Sequence, residues 1–215
     1  MYSLLIADDH PLFRGALKSA LHGQFHDINI QETDSLESTL QYLANAADLD
    51  LLLLDLNMPG SGELYGLIRI RANFADLPIA VISGTEDVEI IAKVIEAGAL
   101  GFIPKTSQPQ EISEAILSIL AGDVWLPANI KEAVLKQPKP NLSVASKVAE
   151  LTPAQYNVLC YLHEGLLNKQ IAYELHISEA TVKAHITAIF KKLGINNRTQ
   201  AVLIASSLKL QVLEV

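Results

Sequence analysis

Five short β-branched or leucine-rich runs, separated by longer segments of helical periodicity, most constrain how the first half of the chain can fold. The runs are YSLLIAD (2–8), INIQET (28–33), LLLLD (51–55), IAVIS (79–83) and GFIPK (101–105). Between the last two lies DVEIIAKVIEAG, in which Gly98 stands where a helix C-cap favours glycine. Strands that alternate with helices predict a doubly wound, parallel five-stranded α/β sheet. Leucine runs without polar alternation predict central strands buried on both faces.

Polar residues stand where these runs end, and the carboxyl ends of parallel strands meet at one edge of a sheet. They are Asp8 and Asp9 after the first run, Asp55 after the third, Ser83 after the fourth and Lys105 after the fifth. Clustered carboxylates repel one another unless a cation intervenes, and hard oxygen ligands suit Mg²⁺. A lysine and a hydroxyl suit a phosphoryl group. Asp55 is therefore expected to act as a nucleophile toward phosphorus beside a magnesium ion.

These aspartates have two other interpretations. A single aspartate at a strand end more often forms a turn or caps a helix, but five matched positions at one edge favour a functional site. A phosphohydrolase of the haloacid-dehalogenase type also has an aspartate after an apolar strand. It needs a second acid two residues later to protonate the leaving group. That position is Asn57, so the chain is not expected to be an enzyme.

The two halves of the chain carry different charge. Residues 1–121 contain 6 Lys/Arg and 17 Asp/Glu, whereas residues 122–215 contain 10 and 7. An acidic half suits a cation site, and a mildly basic half can approach phosphate. Between them, KQPKPNLSVASK (136–147) shows no clear periodicity. We therefore predict one domain over 1–121, a linker over 122–148 and a second domain over 149–215.

Several single residues and absences add expectations. Cys160 lies in NVLCYL, whose apolar residues have helical spacing, so a buried core thiol is expected. Trp125 is expected at the domain junction, and His10, next to the acidic pair, on the surface. No apolar stretch reaches the roughly 18 residues of a membrane helix and no secretory signal precedes the first strand, so a soluble, cytoplasmic protein is expected.

The second half carries the start and stop signals of several helices. Thr152, Pro153 and Gln155 predict an N-cap, a first helical residue and a capping box. A short helix at about 168–175, a tight turn and a longer helix at about 179–193 follow, the latter capped by Ser178 and ended by Gly194. This longer helix has an apolar side and a slim side of small residues and lysines, which predicts a helix-turn-helix that approaches DNA.

The acidic half resembles the receiver domain of bacterial two-component response regulators over roughly residues 1–121. The resemblance rests on the pair Asp8-Asp9, the D-x-x-M-P-G block 55–60, Ser83, and the segment from Phe102 to Lys105. It implies a flavodoxin-like fold in which Asp55 accepts a phosphoryl group from a histidine kinase. It also implies that Asp9, Asp55 and the main-chain carbonyl of Asn57 bind Mg²⁺ with support from Asp8. Ser83 and Phe102 would form a switch pair that responds to phosphorylation. GSGELYGL replaces the more usual Met-Asp-Gly after the Pro-Gly.

The basic half is similar almost throughout residues 151–205 to the four-helix LuxR-type DNA-binding domain. The blocks that carry the similarity are NKQIA (168–172), ISE (177–179), TVKAH (181–185), KLG (192–194) and RTQA (198–201). The resemblance implies that Lys183, Ala184 and Thr187 face bases in the major groove. It implies phosphate contacts from Lys169, Thr181, Lys191 and Arg198. Together the two halves resemble the NarL/FixJ class of response regulators.

A domain with so little net charge should bind DNA weakly alone, because affinity for DNA comes largely from neutralised phosphates. We therefore expect a homodimer on adjacent half-sites, with phosphorylation promoting dimerisation or releasing the DNA-binding domain from the receiver. The last helix, with Ala201, Val202, Ile204, Ala205 and Leu208, is the expected dimer contact. The alternatives are a phosphorylation-independent DNA-binding regulator controlled by a ligand or partner, and an interaction module that binds no DNA.

Overall fold

The computed structural model describes residues 2–46, 49–62, 64–85, 87–136, 142–208, 210 and 212. Its first half alternates five strands with five helices, as predicted. The strands are β1 (Tyr2–Ala7), β2 (Ile28–Thr33), β3 (Leu51–Leu54), β4 (Ile79–Ser83) and β5 (Gly101–Pro104), and the helices are α1 (Pro11–Gln24), α2 (Leu36–Asn45), α3 (Tyr65–Asn73), α4 (Val88–Glu96) and α5 (Pro109–Leu120).

The five strands form one parallel sheet in the order β2-β1-β3-β4-β5. The leucines of β3 are completely buried and alternate between two cores, Leu52 and Leu54 on one face of the sheet and Leu51 and Leu53 on the other. Helices therefore cover both faces, which confirms the doubly wound architecture and explains the lack of polar alternation in this run.

Three of the predicted runs end one residue too late. Asp8, Asp55 and Lys105 each lie just past the last residue of β1, β3 and β5, whereas Ser83 is the last residue of β4. The side chains expected to form the site therefore sit where the chain leaves the sheet. This is the position in which ligands bind to such sheets.

The stretch after α5 adds to the edge of the sheet. Trp125 pairs in parallel with Gly101: its N–H donates to the carbonyl of Leu100 at 2.9 Å, and its carbonyl accepts from the N–H of Phe102 at 3.2 Å. Helix α6 (Ala128–Leu135) follows and packs against α4. The expectation for Trp125 was a place at the domain junction. Its backbone instead extends the β5 edge, and its ring packs with the α1/α5 core of the first half.

The second half is helical in the part of it that the structure describes. Its helices are α7 (Leu142–Ala149), α8 (Pro153–His163), α9 (Asn168–Glu174), α10 (Glu179–Leu193) and α11 (Arg198–Ser207). Helix α7 differs from the prediction, because it lies mostly within the 136–147 segment expected to be an irregular linker. It is held between α3 and α10, with Val148 completely buried. A helix of this length is marginal alone, so tertiary packing rather than local periodicity stabilises it.

The predicted caps of the helix-turn-helix are confirmed. Thr152 and Gln155 form a capping box at the start of α8, and the Ser178 hydroxyl accepts from the N–H of Thr181 at 3.1 Å at the start of α10. Gly194 ends α10 in the left-handed region at φ 70°, where glycine has no Cβ penalty. Local sequence therefore sets the bounds of the helix that carries the predicted DNA contacts.

Among the described residues, no helix is both long enough and apolar enough to span a bilayer.

Cys160 provides a test of the core of the second half. It is 1% exposed, and burial raises the pKa of its thiol to about 12. Since the thiolate is the reactive form, we expect no reaction with a disulfide-exchange reagent in the native protein at pH 8 and rapid reaction after unfolding in urea. Absorbance of the released thiol measures both rates. Reaction of the native protein at the unfolded rate would contradict the packing of α8.

Candidate functional site

Backbone pairing brings the polar strand ends together. The N–H of Asp55 donates to the carbonyl of Ala7 at 2.8 Å, which places Asp55 beside Asp8 across the β1/β3 pair. The N–H of Lys105 donates to the carbonyl of Ser83 at 2.9 Å, which aligns the ends of β4 and β5. Residues far apart in sequence thus share one edge because parallel strands end in register.

Lys105 is the centre of the cluster. Its Nζ lies 2.7 Å from Oδ2 of Asp8 and 2.9 Å from Oδ2 of Asp55, and both aspartates are completely buried. The same ammonium lies 4.9 Å from the centre of the Phe13 ring, within the range of a cation–π contact. One cation therefore neutralises part of the charge of two buried carboxylates.

The ionisation of this cluster follows from burial and from that cation. Burial raises the pKa of Asp55 above its ordinary value, and the hydrogen bond from Lys105 opposes the rise. For Lys105, burial alone would lower the pKa, but the hydrogen bonds to Asp8 and Asp55 outweigh it and raise the pKa. Lys105 is therefore charged at neutral pH, and it favours the ionised form of Asp55.

The acidic groups fit a divalent cation. Ligand atoms of Asp8, Asp9, His10 and Asp55 all lie within 4.8 Å of one another. Oδ1 of Asp55 is buried and has no hydrogen-bond partner in the part of the chain that the structure describes. A buried carboxylate oxygen without a partner is costly, and a hard cation satisfies it. Asn57, whose carbonyl was the third predicted ligand, lies in the loop after β3 with an exposed side chain.

Two residues next to the acids were not predicted as part of this site. His10, expected on the surface, has a 63% exposed side chain, yet its Nδ1 lies 2.7 Å from Oδ1 of Asp9 and 3.2 Å from Oδ1 of Asp8. Arg14 donates to the carbonyl of Asp8 and, at 3.1 Å, to Oε2 of Glu32. The only sequence signal was the position of both residues at the start of the helix that follows the acidic pair.

Ser83 and Phe102 lie on the β4/β5 side of the cluster, and both are completely buried. The Ser83 hydroxyl is 3.5 Å from the backbone N–H of Thr85. The Phe102 ring belongs to the core that also contains Val81 and Ile91. The aromatic side chain of the predicted switch pair is thus already packed inward in this structure.

The predicted DNA face of α10 is exposed. Thr181, Lys183, Ala184, Thr187 and Lys191 are accessible, whereas Val182 and Ile189 on the opposite side are completely buried. Lys183 lies 3.2 Å from Glu179, and the Thr187 hydroxyl donates to the carbonyl of Lys183 at 3.0 Å. The helix therefore presents two ammonium groups among small side chains, which suits approach to a groove.

The other two predicted phosphate contacts differ from each other. Lys169, in the first turn of α9, is exposed. Arg198 is half-buried, and its guanidinium donates to the carbonyl of Leu166. Part of this arginine therefore connects α11 to the loop before α9, and only its remaining N–H groups are available to a phosphate.

Comparison with known proteins agrees with this geometry. The first half matches the model of the response regulator receiver domain over residues 4–117, and the second matches bacterial regulatory proteins of the luxR family over residues 149–205. A receiver domain joined to a LuxR-type helix-turn-helix defines a phosphorylation-controlled, DNA-binding transcriptional regulator. The chain belongs to the NarL/FixJ family of response regulators.

Relatives match nearly the whole chain. The Glycerol metabolism activator of Pseudomonas putida is 42% identical over 213 residues, covering 97% of this chain and 96% of that protein. The nitrate/nitrite response regulator NarL of Escherichia coli K12 is 30% identical over 200 residues, covering 93% and 92%. A solved structure of two RcsB dimers bound to two parallel DNAs is 25% identical, with a TM-score of 0.57 and coverage of 96% and 98%.

Replacement of Asp55 by Asn should stabilise the protein at pH 7 when no divalent cation is present. A carboxyl whose pKa rises on folding lowers stability once the pH exceeds its unfolded value, and the full cost is reached above its folded value. We therefore expect a higher melting temperature for the variant than for the wild type. The gain should vanish near pH 3.

Thermal unfolding followed by circular dichroism measures this shift. Asp76→Asn, at an exposed position, is the matched control and should leave the melting temperature unchanged. Added Mg²⁺ should raise the melting temperature of the wild type more than that of the Asp55 variant. Equal shifts in the two proteins would argue against Asp55 as a ligand.

Proposed function

We propose that Asp55 is the phosphoacceptor of this regulator and that a histidine kinase is its phosphoryl donor. The contact between Lys105 and both Asp8 and Asp55 supports this assignment. It leaves Oδ1 of Asp55 without a hydrogen-bond partner among the described residues, next to Asp9 and His10. A buried carboxyl oxygen beside a cation site, with the Lys105 ammonium favouring its ionised form, is suited to attack phosphorus.

The reaction proceeds as a transfer from a phosphohistidine. A carboxylate oxygen of Asp55 forms the new P–O bond while the P–N bond to the donor histidine breaks, and the electron pair of that bond leaves with the imidazole nitrogen. Lys105 offsets the charge of the phosphoryl oxygens. Asp9, Asp55 and the carbonyl of Asn57, with Asp8 behind them, would hold a Mg²⁺ ion. When bound, this ion supplies Lewis-acid charge neutralisation at the phosphoryl group.

Ser83 and Phe102 complete the receiver site. Since β3 and β4 are neighbouring strands, the Ser83 hydroxyl would donate to a phosphoryl group on Asp55. Phe102 fills the core beside it. We assign them the role of the switch pair, in which a local change of charge biases side-chain packing.

The second half of the regulator would bind double-stranded DNA. Lys183, Ala184 and Thr187 would face bases, while Lys169, Thr181, Lys191 and the remaining N–H groups of Arg198 would contact phosphates. The exposure of the α10 face supports this assignment. The RcsB structure contains dimers on DNA, and we propose that this chain also acts as a homodimer, in the cytoplasm where the chromosome lies. The expected dimer contact on α11 needs correction, because Ala201, Ala205 and Leu208 are buried in the core of this domain. Val202 and Ile204 are half-buried and Leu203 is 63% exposed, so we propose that these three residues form the α11 contact.

Acetyl phosphate with Mg²⁺ tests the phosphoacceptor. Wild-type protein should gain the mass of one phosphoryl group and bind DNA more tightly, while Asp55→Ala should show neither change, because the nucleophilic oxygen is gone. Intact-mass spectrometry and fluorescence anisotropy measure the two effects. Asp76→Ala serves as a control that should behave as wild type. An Asp55→Ala protein that still gains the mass would refute the assignment. Unchanged DNA binding by phosphorylated wild type would favour the phosphorylation-independent alternative.

Base and phosphate contacts of α10 should give different signatures. Lys183→Ala should weaken binding to a preferred duplex by about 1–3 kcal/mol and relax the sequence preference of the protein. Lys191→Ala should weaken binding to all duplexes alike and reduce the slope of log affinity against log salt concentration by about one. Affinity measured against salt concentration for several duplexes separates these effects. Lys136→Ala, an exposed lysine beyond α6, is the charge-matched control. Equal behaviour of the two α10 variants would contradict the assignment.

A further inference from the structure

Tyr65 connects the two halves of the chain directly. It is the first residue of α3 and is completely buried. Its hydroxyl donates to the carbonyl of Leu151 at 3.0 Å, and its ring lies 4.2 Å from the ring of Tyr156, tilted by 36°. Leu151 and Tyr156 belong to the DNA-binding half, before and within α8. One receiver side chain therefore makes both a polar and an aromatic contact with the other domain.

A neighbouring arginine fixes this tyrosine. NH1 of Arg69, one turn along α3, donates to the Tyr65 hydroxyl oxygen at 3.2 Å. The guanidinium carbon lies 5.8 Å from the centre of the Tyr65 ring. The hydroxyl thus accepts one hydrogen bond and donates another, which leaves its direction little freedom.

On the receiver side, Ser61 lies between Asp55 and the start of α3. The Ser61 hydroxyl lies 3.5 Å from the carbonyl oxygen of Asp55, and the carbonyl of Ser61 accepts from the N–H of Gly66 at 2.7 Å. A Cβ at Gly66 would stand 2.2 Å from the Ser61 hydroxyl oxygen and 3.2 Å from the Cα of Ser61, so Ser61 packs closely against the first turn of α3. Contacts of Ser61 therefore connect the backbone of Asp55 to the first turn of α3.

On the DNA-binding side, the residues around Leu151 hold the end of the recognition helix α10. Nζ of Lys192 donates to the carbonyl of Glu150 at 2.6 Å and to Oε1 of Gln155 at 2.8 Å. Nζ of Lys147, on α7, donates to the carbonyl of Leu193 at 3.4 Å. A shift of the 147–151 segment is therefore passed to the last turn of α10.

The DNA face of α10 stays exposed while these contacts are made. Phosphorylation therefore does not need to uncover this face. The Tyr65 contact instead fixes the orientation of the DNA-binding half on the receiver. In a dimer that orientation sets the separation of the two recognition helices, which must match the separation of half-sites on DNA.

We propose that Tyr65 is the positioning residue through which the phosphorylation state of Asp55 reaches the DNA-binding half. A change at Asp55 moves the β3–α3 loop and the first residue of α3, and the contacts with Leu151 and Tyr156 carry that movement to the end of α10. This route runs through the chain between β3 and α3, whereas Ser83 and Phe102 lie on β4 and β5 of the same sheet. The inference rests on the proposed phosphorylation of Asp55.

The test compares the coupling between phosphorylation and DNA binding in full-length variants. The probe is a labelled duplex selected from a random library against wild-type protein treated with beryllium fluoride and Mg²⁺. The measured quantity is the ratio of Kd without and with beryllium fluoride. Coupling between two sites of a protein is usually about 5- to 150-fold, and we expect a wild-type ratio in this range.

Tyr65→Ala should reduce this ratio to within about twofold of one, because the hydrogen bond and the ring contact are both lost. Tyr65→Phe keeps the ring and loses only the hydroxyl, so its ratio should fall by about two- to tenfold. Tyr42→Ala, a half-buried tyrosine of α2 in the receiver, is the matched control and should keep the wild-type ratio. All of these variants should still be phosphorylated by acetyl phosphate, as measured by intact-mass spectrometry.

The outcomes separate this inference from the proposed function. A wild-type ratio in the expected range, with the same ratio in both Tyr65 variants, overturns the role of Tyr65 and leaves phosphorylation control intact. A wild-type ratio of one overturns phosphorylation control, and the inference with it. If Tyr65→Ala fails to fold, the comparison of Tyr65→Phe with wild type decides, since an unchanged ratio in that variant also overturns the proposal.

Discussion

The ion cluster of Lys105 with Asp8 and Asp55 is the interaction on which the receiver half depends. Two carboxylates without solvent exposure would repel each other and carry a large desolvation cost, and one ammonium at 2.7 and 2.9 Å offsets part of both. The cluster exists only because β1, β3 and β5 end at the same edge. The sheet is thus the means by which three distant residues form one charged site, and that site keeps an oxygen of Asp55 available for chemistry.

The junction between the halves has a different character, since it is built from an aromatic pair, one hydrogen bond to a backbone carbonyl and helix α7 between α3 and α10. An open groove of about 750 Å³ lies beside it, lined by residues of both halves that include Leu36, Arg69 and Pro153. The interface between the two halves is packed on one side and borders an open groove on the other. Such an interface suits two alternative arrangements of the domains better than one rigid arrangement.

Local chemistry made much of the structure predictable. Apolar runs gave the five strands and their burial, and the capping residues Thr152, Ser178 and Gly194 gave the bounds of the helices around the helix-turn-helix. The rule that strand ends meet at one edge gave the acidic site. Local patterns failed at α7 and Trp125, where the deciding energy comes from packing against residues far away in sequence. They also gave no sign of the His10 and Arg14 contacts, which depend on side-chain direction at the start of α1.

The sequence by itself determined the two domain types, the phosphoacceptor candidate and the helix expected to read DNA. Each depends on particular residue types at a fixed spacing along the chain, which can be recognised without knowledge of the fold. Only the tertiary structure decided that Lys105 binds both aspartates, that Arg198 is partly committed to Leu166, and that Tyr65 reaches across to Leu151 and Tyr156. Those contacts join residues separated by tens of positions. Their existence depends on strand register and helix packing, which no local pattern encodes.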